Sequence, residues 1–185
     1  MNILITGMIL FLGIHLLPTL NPLRQLVLNK FSEKAYKGLF TLISVLGLIL
    51  IIYGFSSAEF IHVYTPPVWG RHLAFTLVPI ALILFAAANM PGHIRKTLKH
   101  PMLIGTLLWS VAHLSANGDR RTLILFGGFA LWALIDLISV SIRRKTLGGG
   151  KPIHIKYDLM AVGGGILVAG VIFYFHGLLF GMPLR

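Results

Sequence analysis

Six stretches of the chain carry few or no charges: roughly 2–20, 38–56, 71–90, 101–116, 122–142 and 158–181. Charged and turn-forming residues gather between them. An apolar run of about 18 or more residues is long enough to cross the hydrocarbon of a bilayer as a helix. Backbone groups in lipid must bond internally, which leaves the helix as the form for such runs. The pattern predicts an all-α polytopic transmembrane helical bundle of about six helices, folded as a single domain over 1–185. The fourth span is the shortest. The first run has no basic stretch ahead of it and no small-x-small cleavage pattern after it. It therefore reads as a retained helix rather than a leader.

Composition agrees with the pattern. Of 185 residues, 56% are hydrophobic and 11% charged, against about 25% charged in soluble domains. The formal charge of +11 would suggest nucleic acid in a soluble protein. Here the charges sort by loop instead. Arg24, Lys30, Lys34 and Lys37 follow the first span; Arg95, Lys96 and Lys99 the third; Arg143, Arg144, Lys145, Lys151 and Lys156 the fifth. Twelve of the sixteen basic residues thus fall on one side. The positive-inside rule makes that side cytoplasmic and puts both termini outside. The expected partner is the lipid bilayer, whose anionic headgroups suit these loops, and not nucleic acid.

The loop 57–70 contains Pro66-Pro67, which stops a helix, and Tyr64 and Trp69, which suit the aromatic belt of an interface. "LGGGK" at 147–151 is a flexible turn lacking the spacing of a phosphate loop. The glycines Gly127-Gly128 and Gly163-Gly164-Gly165 lie inside spans and predict close helix approach. There is no cysteine, which excludes disulfides, thiolate catalysis and thiolate-bound metals. Metallopeptidase, nucleophile-elbow and dinucleotide motifs are missing.

Chemistry is then left to the polar residues inside spans, which are costly there and usually face the protein interior. His15 forms an i, i+4, i+8 stripe with Gly7 and Phe11. His113 repeats it with Gly105 and Trp109, flanked by Ala112 and Ala116. Small residues beside a histidine leave room for a flat ligand, as a haem held between bundle helices requires. The competing reading is a histidine that only hydrogen-bonds a neighbouring helix. His72 and His100 open the third and fourth spans at the interface, and Arg71 or His72 would suit a haem propionate. His62, His93, His154 and His176 have no assigned partner. Asp136 pairs most simply with Arg143, two helical turns on; the alternative is orienting a ligand histidine. Asn117-Gly118-Asp119 reads as a capped turn between helices.

The stretches "FLGIHLLPTLNPLRQLVLNKFSEKAYKGLFTLISVLGLILIIYGF", "WGRHLAFTLVPIALILFAAAN" and "HPMLIGTLLWSVAHLSANGDRR" resemble the bacterial NnrU membrane proteins over nearly the whole chain. That resemblance implies a role linked to nitrite and nitric oxide reduction. The family is similar in turn to plant cis-zeta-carotene isomerases, membrane proteins that bind haem b through histidines and isomerise a polyene. It implies haem b as cofactor, His15 and His113 as iron ligands, and histidines of that group at His72 and His100. Where the isomerases carry a cysteine three residues before the second ligand, this chain has Ser110. "HPMLIG…W" is also similar to the opening of the cofactor region of membrane methyltransferases that use S-adenosylmethionine, without their downstream residues.

Depth argues against one ligand pair. Helix one runs inward, so His15 lies near its cytoplasmic end. His113 lies about 18 Å from the inner start of its span at about 1.5 Å per residue. His72 with His113, both toward the outer side, is the alternative pair. The expected function is an inner-membrane haem b protein with a redox, sensing or isomerase-like role, acting with denitrification enzymes or on a small hydrophobic substrate. The alternatives are a cofactor-free accessory or assembly factor for those enzymes, and a methyltransferase relative.

Overall fold

A computed structural model of the protein describes residues 1–30, 32–142, 152–181 and 184. The chain is all-α there: α1 (Asn2–Leu16) continues through a 3-10 turn (Leu17–Thr19), followed by α2 (Asn21–Lys30), α3 (Glu33–Ser57), α4 (Gly70–Ala87), α5 (His93–Leu98), α6 (Pro101–Ala116), α7 (Arg120–Ile142) and α8 (Ile155–Phe180). Five segments are long and apolar enough to cross a membrane: Asn2–Thr19, α3, α4, α7 and α8. The sixth, α6, is apolar but has 16 residues.

Local chemistry sets several of the ends. Ser32 Oγ accepts from Ala35 N at 3.2 Å and starts α3. Pro101 opens α6, where a missing N–H costs nothing. Asp119 starts α7 by accepting Thr122 N at 3.1 Å and the Thr122 hydroxyl at 2.6 Å. Gly181, in the left-handed region at φ 71°, ends α8. Two short helices, α2 and α5, occupy segments that the hydrophobic pattern leaves as loops. Arg24 and Lys30 lie on α2, and Arg95 and Lys96 on α5, at the end of the molecule opposite Arg71, Arg120 and Arg121. Arg143, Arg144, Lys145 and Lys151 lie outside the described residues.

Side by side, the long helices run in the order α3, α1, α7, α6, α4, α8. Glycines bring several pairs together. A Cβ on Gly54 would fall 2.4 Å from Leu4 N, and one on Gly7 2.7 Å from Ile51 N, so α1 and α3 touch backbone to backbone. Gly105 packs on Ala81 O and the Phe85 ring, joining α6 to α4, and Gly165 packs on Ile83, joining α8 to α4. The expectation of close approach holds at Gly128, against Met8, and at Gly165. Gly127, Gly163 and Gly164 have nothing within 4 Å of a would-be Cβ.

Leu4, Met8, Ile51, Leu125 and Phe126 form the core, with Phe11, Trp109 and Phe129 packed on it. It sits where α1, α3, α6 and α7 meet. Outside, large apolar side chains are exposed along α3 (Leu42, Ile49, Ile52) and α8 (Leu159, Leu167, Leu178). Between 11% and 22% of each candidate span is buried by protein. Such a surface suits lipid and not water, so the chain is a multi-pass membrane protein whose partner is the bilayer.

Candidate functional site

The polar groups at one end of the row lock its loops. Tyr64 donates its hydroxyl to the carbonyl of Asn117 at 2.8 Å and to that of Leu114. Val63 N and Tyr64 N donate to Gly118 O at 2.8 and 3.0 Å. His62 and Asp119 face each other in an isolated antiparallel bridge. The buried Asp119 carboxylate pairs with Arg121 Nε at 3.3 Å, and the Arg121 guanidinium lies 4.9 Å over the Phe55 ring. Tyr64 therefore faces inward onto the α6–α7 turn rather than serving only as an interfacial ring. Burial and the Asp119 charge push its phenol above the ordinary tyrosine range. The Asn117-Gly118-Asp119 turn is a cap, as its sequence indicates.

At the opposite, basic end, Asp158 in the first turn of α8 accepts from His93 N (2.8 Å), Ile94 N (2.9 Å) and His93 Nδ1 (2.9 Å). It pins α5 to α8. Asp136 makes contacts within the protein, while Arg143, its expected partner, lies outside the described residues.

Between these ends lie the two histidines of interest. His15 Nδ1 is 2.6 Å from Phe11 O, and His113 Nδ1 is 2.8 Å from Trp109 O. A carbonyl oxygen only accepts, so each Nδ1 carries the proton and each Nε2 keeps its lone pair. Both stripes thus use the i−4 carbonyl to fix the imidazole in one tautomer, the form that can ligate a metal through Nε2.

Their surroundings differ. The His15 ring sits among Phe11 (centroids 4.3 Å), Phe40 (5.0 Å) and Trp132 (6.1 Å). His113 stacks on Phe126 at 4.2 Å and 9°, with Trp109 at 5.3 Å. The two clusters connect through Phe129, which meets Phe11 at 5.8 Å and Trp109 at 5.6 Å. Helix α7 measures the offset. His15 lies against Trp132 and His113 against Phe126, six residues apart, or about 9 Å of helical rise. The structure does not bring His15 and His113 to one point, and three rings stand between them.

Helix α4 gives a second ruler. Gly70 abuts Ser115 of α6, and Phe75 meets Phe173 of α8 at 5.7 Å. Counting along these antiparallel pairs puts His72, His113 and His176 at one level, near the end opposite the basic loops. His72 is exposed. No sequence feature singled out His176; only the α4–α8 register brings it to this level. Arg71 lies beside this level too, 5.5 Å over Phe75 and donating to the Leu184 carbonyl. Gly105 faces α4 rather than the His113 ring, so its small size serves helix packing. Ser110 Oγ, one turn before His113, is fully buried with no hydrogen-bond partner among the described residues. No group of three His, Asp or Glu side chains converges among the described residues to hold a bare metal ion.

The "HPMLIG" stretch is accounted for by helix initiation at Pro101 and by Gly105 packing on α4. The profile of the family described as NnrU protein matches residues 3–184. No curated protein and no solved structure matches the chain.

Proposed function

This chain belongs to the NnrU family, and from that premise we propose that it is a bacterial inner-membrane protein that binds haem b through His113. Its role would be redox or sensing chemistry linked to nitrite and nitric oxide reduction, with both termini in the periplasm. The single observation carrying the haem reading is the His113 tautomer: Nδ1–H is spent on Trp109 O, leaving Nε2 as the ligand nitrogen. The imidazole is held by stacking on Phe126 and cannot swing freely. A second histidine on the same iron would come from the same level, from His72 or His176, and not from His15. Arg71 is the cation nearest that level for a propionate. Haem would supply reversible iron oxidation and exchange of an axial ligand. The chain's own residues would orient His113, keep water out with Trp109 and Phe126, and tune the imidazole through the Trp109 carbonyl. The isomerase-like reading would use the same site with a lipid-soluble polyene.

The tight ring packing around His113 favours a second reading, in which the histidine is a packing residue of a cofactor-free accessory factor for denitrification enzymes. An oxidised-minus-dithionite-reduced spectrum of the detergent-purified, haem-supplemented protein separates the two. The expected result is a b-type spectrum that His113→Ala abolishes and His15→Ala leaves intact, with His72→Ala and His176→Ala reporting the opposite ligand. Size-exclusion profiles check that each variant is folded. A colourless wild type, or a spectrum indifferent to His113→Ala, would overturn the haem reading and leave the accessory role.

A further inference from the structure

We infer that His15 and Trp132 form a second, separate binding point, for the hydroxyl of a lipid-soluble phenol or hydroquinone. Two polar atoms here have no partner among the described residues. Trp132 Nε1–H is buried and meets no acceptor among the described residues. His15, whose ring stands edge-on to Trp132 at 88°, has committed Nδ1–H to Phe11 O and keeps an accepting Nε2. An indole N–H can only donate, and this imidazole nitrogen can only accept. One oxygen within reach of both would accept from the first and donate to the second. That oxygen belongs to a hydroxyl. A quinone or ketone oxygen accepts only and answers Trp132 alone.

The surroundings specify the rest of the ligand. Phe11, Phe40 and Trp132 wall the imidazole with aromatic faces and edges, which suits a ring. Phe40 also lines an open cleft of about 420 Å³ with Pro18, Tyr36, Lys37 and Thr41. That volume lies within the roughly 300–1,000 Å³ of small-molecule sites. Pro18 is one turn beyond His15, and the cleft lies at the basic end of α3. A ring with an apolar tail would enter from there. Phe40 both lines the cleft and contacts the His15 ring at 5.0 Å, which joins the two places. His15 would accept the hydroxyl hydrogen bond, a binding role that involves no electron transfer.

The assignment does not depend on haem at His113, and its test is read independently of the spectrum. Purified protein in detergent is equilibrated by dialysis with decylubiquinol, held reduced under argon, or with decylubiquinone. The expected result is that wild type binds the quinol at least tenfold more tightly than the quinone. His15→Phe keeps the ring packing but removes Nε2, and it should erase that preference. Trp132→Phe should weaken both ligands. Melting curves of the two variants establish that they remain folded. Equal binding of quinol and quinone by wild type, a preference surviving in His15→Phe, or no binding of either would overturn the proposal; the last result would assign the two polar atoms to a bridging water.

Discussion

Replacing Asp158 by alanine removes the acceptor for two backbone N–H groups at the start of α5 and for the His93 ring. The carboxylate is buried, with 9% of its side chain exposed, and its three contacts span 2.8–2.9 Å. A hydrogen bond to a charged group contributes about 1.5–3 kcal/mol. His93 is more than half exposed, and its share is correspondingly small. The two backbone bonds then carry most of the effect, and about 3 kcal/mol is a conservative sum. Helix α5 has six residues and few other attachments, so the loss falls on local opening rather than on the whole fold. With about 1.4 kcal/mol per factor of ten, opening rises about a hundredfold. Trypsin reads it, because Arg95 and Lys96 lie on α5, and cleavage tracks the open population when reclosing is fast. Asp158→Asn keeps one accepting oxygen and should open about tenfold. Gly92→Ala offers an independent check, since its Cβ would fall 2.3 Å from Asp158 Oδ1 and push the carboxylate away. Asp158→Ala cut no faster than wild type, or no faster than Asp158→Asn, would refute the reasoning.

Gly54→Val places a side chain against the Leu4 backbone and should cost about 3 kcal/mol or more by overpacking, read as a lowered melting temperature in detergent. Gly127→Ala meets open space and should instead stabilise by up to about 1 kcal/mol through helix propensity. Tyr64→Phe loses the bonds to the carbonyls that end α6 and should cost about 1–2 kcal/mol, seen as faster proteolysis of the 58–69 loop. The Tyr64 phenol is raised, so the folded state holds its proton longer than the unfolded chain does. Its contribution is therefore complete below the ordinary tyrosine pKa of about 10 and is lost as pH rises beyond it. The wild-type-minus-Tyr64→Phe absorbance difference at phenolate wavelengths should appear above that range; a titration at or below it would contradict the burial.

The apolar runs predicted the long helices because nothing else satisfies a backbone in lipid, and 101–116 matches α6 to the residue. What the pattern missed was short and polar. "NPLRQLVLNK" and "HIRKTL" form α2 and α5, yet neither has the length or apolarity that registers as a span. Helix α5 is held by Asp158, 65 residues further along the chain, a distance no local pattern reports. Tyr64 looked interfacial because sequence shows composition, and its two carbonyl partners appear only once the loop folds over α6. The glycines were legible as close-approach residues but not individually. Gly165 meets Ile83, whereas Gly163 and Gly164, one turn-face away, look outward.

The two histidine stripes show the same limit and give it functional weight. Sequence spacing made them twins, since each has a small residue and an aromatic at matching offsets. The backbone treats them as twins as well, with each Nδ1–H closed on the carbonyl four residues back. What separates them is helix order. Helix α1 runs parallel to α7, which carries His15 down to Trp132, while antiparallel α6 holds His113 at Phe126. In lipid, a lone-pair nitrogen gains most from a partner that water cannot supply. At the His113 level the ring neighbours are Phe126 and Trp109, with His72 and His176 at the same height along the helices. At the His15 level lies a buried indole N–H with no acceptor among the described residues. Two equal motifs in sequence thus reach two different surroundings by position alone, and on the readings proposed for them spectra and quinol binding should respond to opposite members of the pair.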